Sequence, residues 1–221
     1  MPALPANTRG FTMQKLLTTV ALLFILSVTL AAQTHATHQQ PATKPAPADE
    51  KATAGAPAQK YFTDVELVNQ DGVKMRLYSD LMKGHTVVII PFFTTCTSVC
   101  PPMNATMSKI QQELGDRVGK DIHLISISVD PETDTPERLK AYGAKFKAKP
   151  GWYLMGGKKE NVDIALYKFG MFVENRNDHN TIMVIGNVET GLWKKAFALA
   201  RPAELVTIIR NVADDPHATG Q

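Results

Sequence analysis

Apolar positions recur along this chain in two rhythms, one of alternation and unbroken runs, the other of threes and fours. Residues 62–68 (FTDVELV) and 73–78 (VKMRLY) alternate apolar and polar on either side of Asn69-Gln70-Asp71-Gly72, the pattern of two strands joined by a turn. Residues 85–93 (HTVVIIPFF) and 122–129 (IHLISISV) are apolar almost throughout, as expected of strands buried on both faces. Residues 101–118 place Met103, Met107, Ile110 and Leu114 at helical spacing behind a leading proline, which suits the first turn because its missing N–H needs no partner there. Thr135 followed by Pro136 is a cap-and-start signal for a helix running to about Lys147. A short strand over 152–155 and a helix over 158–169 come next. A second hairpin over 181–187 and 192–199 follows, turning at Glu189-Thr190-Gly191, and a closing helix runs from Pro202 to about Val212. Strand–helix alternation bounded by hairpins predicts an α/β fold, a mixed sheet flanked by helices with an N-terminal hairpin.

The first sixty residues do not share that pattern. Arg9 and Lys15 precede an uncharged apolar run over 16–32 (LLTTVALLFILSVTLAA), so residues 1–36 read as a signal peptide or an N-terminal membrane anchor. Residues 37–60 are rich in Ala and Pro and contain no large apolar side chain, the composition of a disordered linker. His35 and His38 are read as polar linker residues rather than metal ligands. The domain boundaries expected are thus 61–215 for the folded domain and 216–221 for a flexible tail. The folded part is expected outside the cytoplasm, tethered to a membrane and facing the periplasm or another extracytoplasmic space, or secreted if the leader is cleaved.

Charge removes one class of partner. The chain carries 24 Lys and Arg against 21 Asp and Glu. Residues 1–60 hold Arg9, Lys15, Lys44, Lys51 and Lys60 against Asp49 and Glu50, so the +3 surplus lies there and the remainder is neutral. A neutral body with no basic run gives nucleic acid nothing to bind.

Both cysteines fall at one strand-to-helix junction, Cys96-Thr97-Ser98-Val99-Cys100-Pro101. In open α/β sheets the carboxyl end of a central strand is where ligands bind, and helix amides there stabilise a thiolate. Three residues separate the pair, against the two of most dithiol reductases, and Ser98 stands where a peroxiredoxin-type spacing from Pro91 and Thr95 would require cysteine. The pair can close a disulfide or grip one metal ion. Of six histidines, His35, His38 and His217 lie in segments expected to be mobile, and His85 and His123 open strands at the far end of the sheet. His179, directly before the strand TIMVIGN, remains. Two thiolates and an imidazole suit a soft, low-coordinate ion, Cu(I) first and Zn(II) with a further ligand second. Asp178 is the candidate to orient the imidazole as a carboxylate partner. Met103 and Met107 could donate thioether sulfur, but their helical spacing points to core packing.

The stretch Phe93-Thr94-Thr95-Cys96-Thr97-Ser98-Val99-Cys100-Pro101 resembles the copper site of the Sco/SenC family. The resemblance continues through residues 126–136 (SISVDPETDTP), Tyr142, Phe146, the Trp152 strand ending Gly156-Gly157, and Asp178-His179-Asn180-Thr181-Ile182. It implies a thioredoxin-like domain with copper on Cys96, Cys100 and His179. It also implies a metallochaperone that passes copper to an acceptor protein, a cytochrome c oxidase subunit, during oxidase assembly, with a thiol reductant as second partner. Two other readings use the same residues. One is a thiol-disulfide oxidoreductase working through the redox-active pair Cys96 and Cys100; the other is a redox or copper sensor acting by partner binding.

Overall fold

The computed structural model describes residues 56–216. The apolar run over 16–32, His35, His38 and His217 lie outside the described residues, as does most of the expected linker. Among the described residues no helix is long and apolar enough to cross a membrane.

The elements are α1 (Ala56–Phe62), β1 (Glu66–Asn69), β2 (Lys74–Arg76), β3 (Thr86–Phe92), α2 (Cys100–Leu114), β4 (Ile122–Ser128), α3 (Pro136–Lys145), β5 (Trp152–Gly156), α4 (Lys159–Phe169), β6 (Ile182–Asn187), β7 (Trp193–Phe197) and α5 (Pro202–Ala213). Seven strands form one mixed sheet in the order β2-β1-β5-β4-β3-β6-β7. The three central strands β5, β4 and β3 are parallel. β6 and β7 extend one side antiparallel, and the β1–β2 hairpin extends the other.

The unbroken apolar runs have a simple origin. Alternate β3 residues enter different cores: Val88, Ile90 and Phe92 join Met103, Met107 and Ile110 of α2, Leu139 and Tyr142 of α3, and Leu205 and Ile209 of α5. Val87 and Ile89 join Val162, Leu166 and Phe169 of α4 with Phe62 of α1. All seven β3 residues and all seven β4 residues are buried. A strand covered on both faces has no solvent side to alternate with.

Three local differences from the sequence pattern have physical causes. Residues 56–60, expected as the end of the linker, belong to α1, where Phe62 stacks on Phe169 with ring centroids 5.5 Å apart. β2 stops at Arg76, and residues Leu77–Met82 form a π-helical turn. The Asp64 carboxylate accepts the Tyr78 and Ser79 amides at 3.2 and 2.9 Å, and Leu77, Leu81 and Met82 are fully buried; capping and burial together outweigh the strand alternation. α2 begins one residue early, at Cys100, and ends at Leu114, where Gly115 turns the chain with a positive φ of 57°.

α4 is stopped by Gly170 in the left-handed conformation, its amide closing onto the Leu166 and Tyr167 carbonyls. From there the chain runs irregularly, with one 3-10 turn at Arg176–Asp178, until β6 begins at Ile182. This segment carries His179.

Candidate metal centre

Cys96 lies in the loop that leaves β3, and Cys100 is the first residue of α2. The loop is tied by the Cys96 N–H, which donates to the Phe93 carbonyl at 3.2 Å. Pro101 and Pro102 occupy the first positions after Cys100 and carry no N–H. The Cys100 amide is therefore the free donor at this helix start, and it points back at the Cys96 sulfur.

The structure brings Cys96, Cys100 and His179 together. Their ligand atoms all lie within 4.8 Å of one another, and all three residues are buried. The Cys100 sulfur is 3.4 Å from His179 Nε2. His179 Nδ1 lies 3.2 Å from the Asn180 carbonyl oxygen, a partner able to accept an Nδ1–H and so leave Nε2 as the ligand atom when an ion binds. The Asn180 carbonyl thus takes the role that the sequence suggested for Asp178, whose side chain is exposed and whose backbone N–H bonds to the Asn175 carbonyl at 2.9 Å.

The two thiols differ. Burial pushes Cys96 up, but the Cys100 amide and thiol, His179 and the Ser98 amide outweigh it and bring Cys96 down to about 6. Burial and the neighbouring Cys96 thiolate hold Cys100 well above the ordinary thiol range, against a smaller opposite pull from the Phe93 amide. At neutral pH the pair is one thiolate and one thiol. Both cysteines are free, not joined. Two sulfurs and one imidazole nitrogen in a water-poor setting fit a soft ion, so the donor set matches the chemistry that the sequence suggests.

Residues that the sequence reading passed over hold this arrangement. Asp134 is 1% exposed. Its carboxylate accepts the Thr94 N–H at 3.0 Å and the Ser128 hydroxyl at 2.6 Å, with the Thr94 hydroxyl as a third donor. It pins the loop two residues before Cys96 to the end of β4. Buried Asn104 donates to the Cys100 carbonyl at 2.9 Å and accepts from Ser126, whose hydroxyl receives the Trp152 indole N–H at 3.1 Å. The sequence signals for these were modest: an aspartate inside SISVDPETDTP, and an asparagine four residues from Cys100 on the apolar face of a helix. Phe93 meets the His179 ring edge-on, with centroids 5.5 Å apart.

The other candidates lie apart from this site. Met103 and Met107 are fully buried in the core. His85 and His123 stack with centroids 3.7 Å apart at the amino ends of β3 and β4, and buried His123 places Nδ1 2.8 Å from the Leu81 carbonyl.

Comparison with known proteins follows the same residues. A family model described as SCO1/SenC matches residues 53–213. The SCO1 protein homolog of Bacillus subtilis is 33% identical over 118 residues, which is 52% of this chain and 60% of the relative's length. The chain thus aligns with somewhat over half of that relative. A solved SCO1/SenC family lipoprotein from Bacillus anthracis superposes with a TM-score of 0.57 at 29% identity, covering 67% of this chain and 92% of that one. ScoI of Bradyrhizobium japonicum, solved with copper bound, shares the fold with a TM-score of 0.57 at 22% identity, covering 73% of this chain and 99% of that one.

Proposed function

The chain belongs to the SCO1/SenC family, and on that premise we propose that it is a copper carrier. Cys96 and Cys100 bind the ion as thiolates, His179 Nε2 completes the site, and the ion leaves by ligand exchange to an acceptor protein, a cytochrome c oxidase subunit. The observation that carries this reading is the convergence of the three donor atoms within 4.8 Å. Copper is cargo here, so the site has to release what it holds. A low-coordinate site at the rim of a sheet serves that need, because an incoming ligand can add before an outgoing one departs.

Loading depends on redox state. Oxidation by a two-electron acceptor joins the two sulfurs, gives up two electrons and, from the metal-free pair, the one proton held by Cys100, and removes both thiolate ligands. A thiol reductant returns the electrons by exchange through a mixed disulfide and regenerates the binding form. The N-terminal apolar run over 16–32 serves as a leader or anchor and residues 37–55 as a tether, holding the domain on the outer side of a membrane.

The second reading, a thiol-disulfide oxidoreductase, draws support from the inequality of the thiols. Cys96 brought down to about 6 beside a buried, protonated Cys100 is an attacking and resolving pair. Anaerobic Cu(I) titration of the reduced full-length chain, run beside a turnover assay with a disulfide substrate, separates the two. The carrier reading expects one tightly held copper per chain, lost in Cys96→Ser and in Cys100→Ser. Rapid turnover with no retained copper overturns it in favour of the reductase.

A further inference from the structure

Among the described residues, hydrogen-bonded ties lead from residues 172–180 to two parts of the chain distant in sequence. The first joins the His179 imidazole to the dithiol, Nε2 lying 3.4 Å from the Cys100 sulfur and the ring also bonding Cys96; the second is the ion pair of Arg176 with Asp130. The remaining hydrogen bonds of the segment are local, such as the Asn175 side chain accepting the Asn177 N–H at 3.0 Å. The first tie is given up when an ion takes the Nε2 lone pair. The second is independent of the metal.

That ion pair is not an ordinary surface contact. The Asp130 side chain is 13% exposed and that of Arg176 is 43% exposed. Asp130 is itself fixed just beyond β4. Its amide donates to the Ser128 hydroxyl at 3.0 Å, and its carbonyl accepts the Thr133 and Asp134 amides at 3.1 and 3.0 Å. The Arg176 guanidinium also lies over the Phe93 ring, 5.3 Å from its centroid. The same ring meets His179 edge-on, and the carbonyl of the same residue anchors the Cys96 amide. Phe93 is thus in contact with the latch, with the imidazole and with the dithiol loop. Arg176 sits three residues before His179 at the start of the 3-10 turn, so an anchor there fixes where the imidazole can reach.

We propose that Arg176 is a positioning residue, its ion pair with Asp130 and its seat on Phe93 latching the histidine-bearing segment onto the dithiol. Opening the latch withdraws His179 and leaves the two cysteines in place, converting a three-donor site into a two-thiolate one from which copper exchanges more readily. The proposal deepens the carrier reading and rests on it for its consequence, but the latch itself exists without metal.

The test compares Arg176→Gln, Asp130→Asn, their double variant and Arg176→Lys in the reduced full-length chain, with melting temperature as the check on folding. In metal-free protein, amide hydrogen exchange over residues 175–181 is expected to quicken about two- to fivefold in each neutralised single variant, the scale of an ion pair open to solvent on its arginine side. The double variant is expected to match the singles, because the two changes break one interaction. Arg176→Lys, which keeps the charge but not the planar seat on Phe93, is expected to recover part of the protection. Cu(I) transfer to a competing chelator should accelerate in the same order, with unchanged stoichiometry. Exchange unchanged in Arg176→Gln, additive effects in the double variant, or a lysine variant no better than glutamine overturns the latch. A wild-type chain that holds no copper overturns the carrier reading instead, while the exchange data still decide the latch.

Discussion

The sulfur of Cys100 and Nε2 of His179 lie 3.4 Å apart although 79 residues of chain separate them. One belongs to the first turn of a helix and the other to an irregular segment, and neither is held by the other's element. Removing the imidazole should therefore cost binding without costing the fold. His179→Ala is expected to weaken Cu(I) affinity by more than about a hundredfold, since losing even an outer-shell partner of a metal ligand costs ten- to a hundredfold. Circular dichroism and melting should stay as in the wild-type chain. Competition against a Cu(I) chelator measures the affinity, and an unchanged value excludes His179 from the site.

The thiols should react unequally. With Cys96 brought down to about 6 and Cys100 held far higher, alkylation of the reduced, metal-free chain should label Cys96 first. Its rate should rise through a midpoint near pH 6 and flatten above it. The same inequality sets the pH dependence of loading. Near pH 8, Cys96 is already ionised and Cys100 is not, so thiol ionisation on copper binding releases about one proton per chain, and below pH 6 the dependence steepens as Cys96 also becomes protonated. Peptide mapping of labelled protein reads the first effect and proton release by calorimetry in paired buffers reads the second. Equal labelling of both cysteines at neutral pH would contradict the assignment.

Asp134 is expected to be needed for both stability and site geometry. Its buried carboxylate accepts from the Thr94 amide, the Thr94 hydroxyl and the Ser128 hydroxyl. Asp134→Ala strands those donors, and a loss of about 3 kcal/mol is expected for bonds to a buried charge. Asp134→Asn keeps one acceptor and should lose less. Urea unfolding gives the stability. Copper affinity should fall in both variants although no ligand is touched, because Thr94 sets the start of the Cys96 loop. A stable Asp134→Ala protein would show that the network is incidental.

His123 should make the fold sensitive to mild acid. Burial, together with the charge of His85 stacked on it, brings the imidazole down to about 4, opposed in part by its bond to the Leu81 carbonyl. Unfolded, the same group has its ordinary value of about 6.5, so the unfolded chain binds the proton first. The folded state therefore keeps the full contribution of this group above pH 6.5 and loses it as pH falls towards 4, by up to about 3 kcal/mol. Comparing wild type with His123→Phe by denaturant unfolding near neutral pH and at about pH 4.5 isolates this group from the carboxylates that titrate nearby. An equal loss in both proteins would refute it.

Much of the fold was legible from residue spacing. The seven strand positions and the helices over 100–114, 136–145, 159–169 and 202–213 follow from runs, alternation and prolines at helix starts. The π-helical turn at Leu77–Met82 was not legible, because its cap comes from Asp64, thirteen residues before Leu77, and alternation alone reads the same stretch as strand. α1 was missed because its seven residues are too few to show a helical repeat, and what orders it is tertiary: Phe62 packs on Phe169 and Trp193, and Tyr61 meets Lys168.

Local chemistry settles what each residue can offer: two sulfurs at a helix start, one imidazole before a strand, and apolar runs that must be buried on both sides. Those are properties of side chains and near neighbours, and they travel with the chain. Which groups meet is another matter. That Asn180 and not Asp178 faces the imidazole, that Asp134 holds the cysteine loop, and that Arg176 reaches Asp130 and Phe93 are all consequences of how β3, β4 and the segment before β6 come together at one end of the sheet. The contacts of Asp134 and Arg176 join residues 40 or more positions apart, and no short-range pattern encodes a distance that only the packed sheet creates.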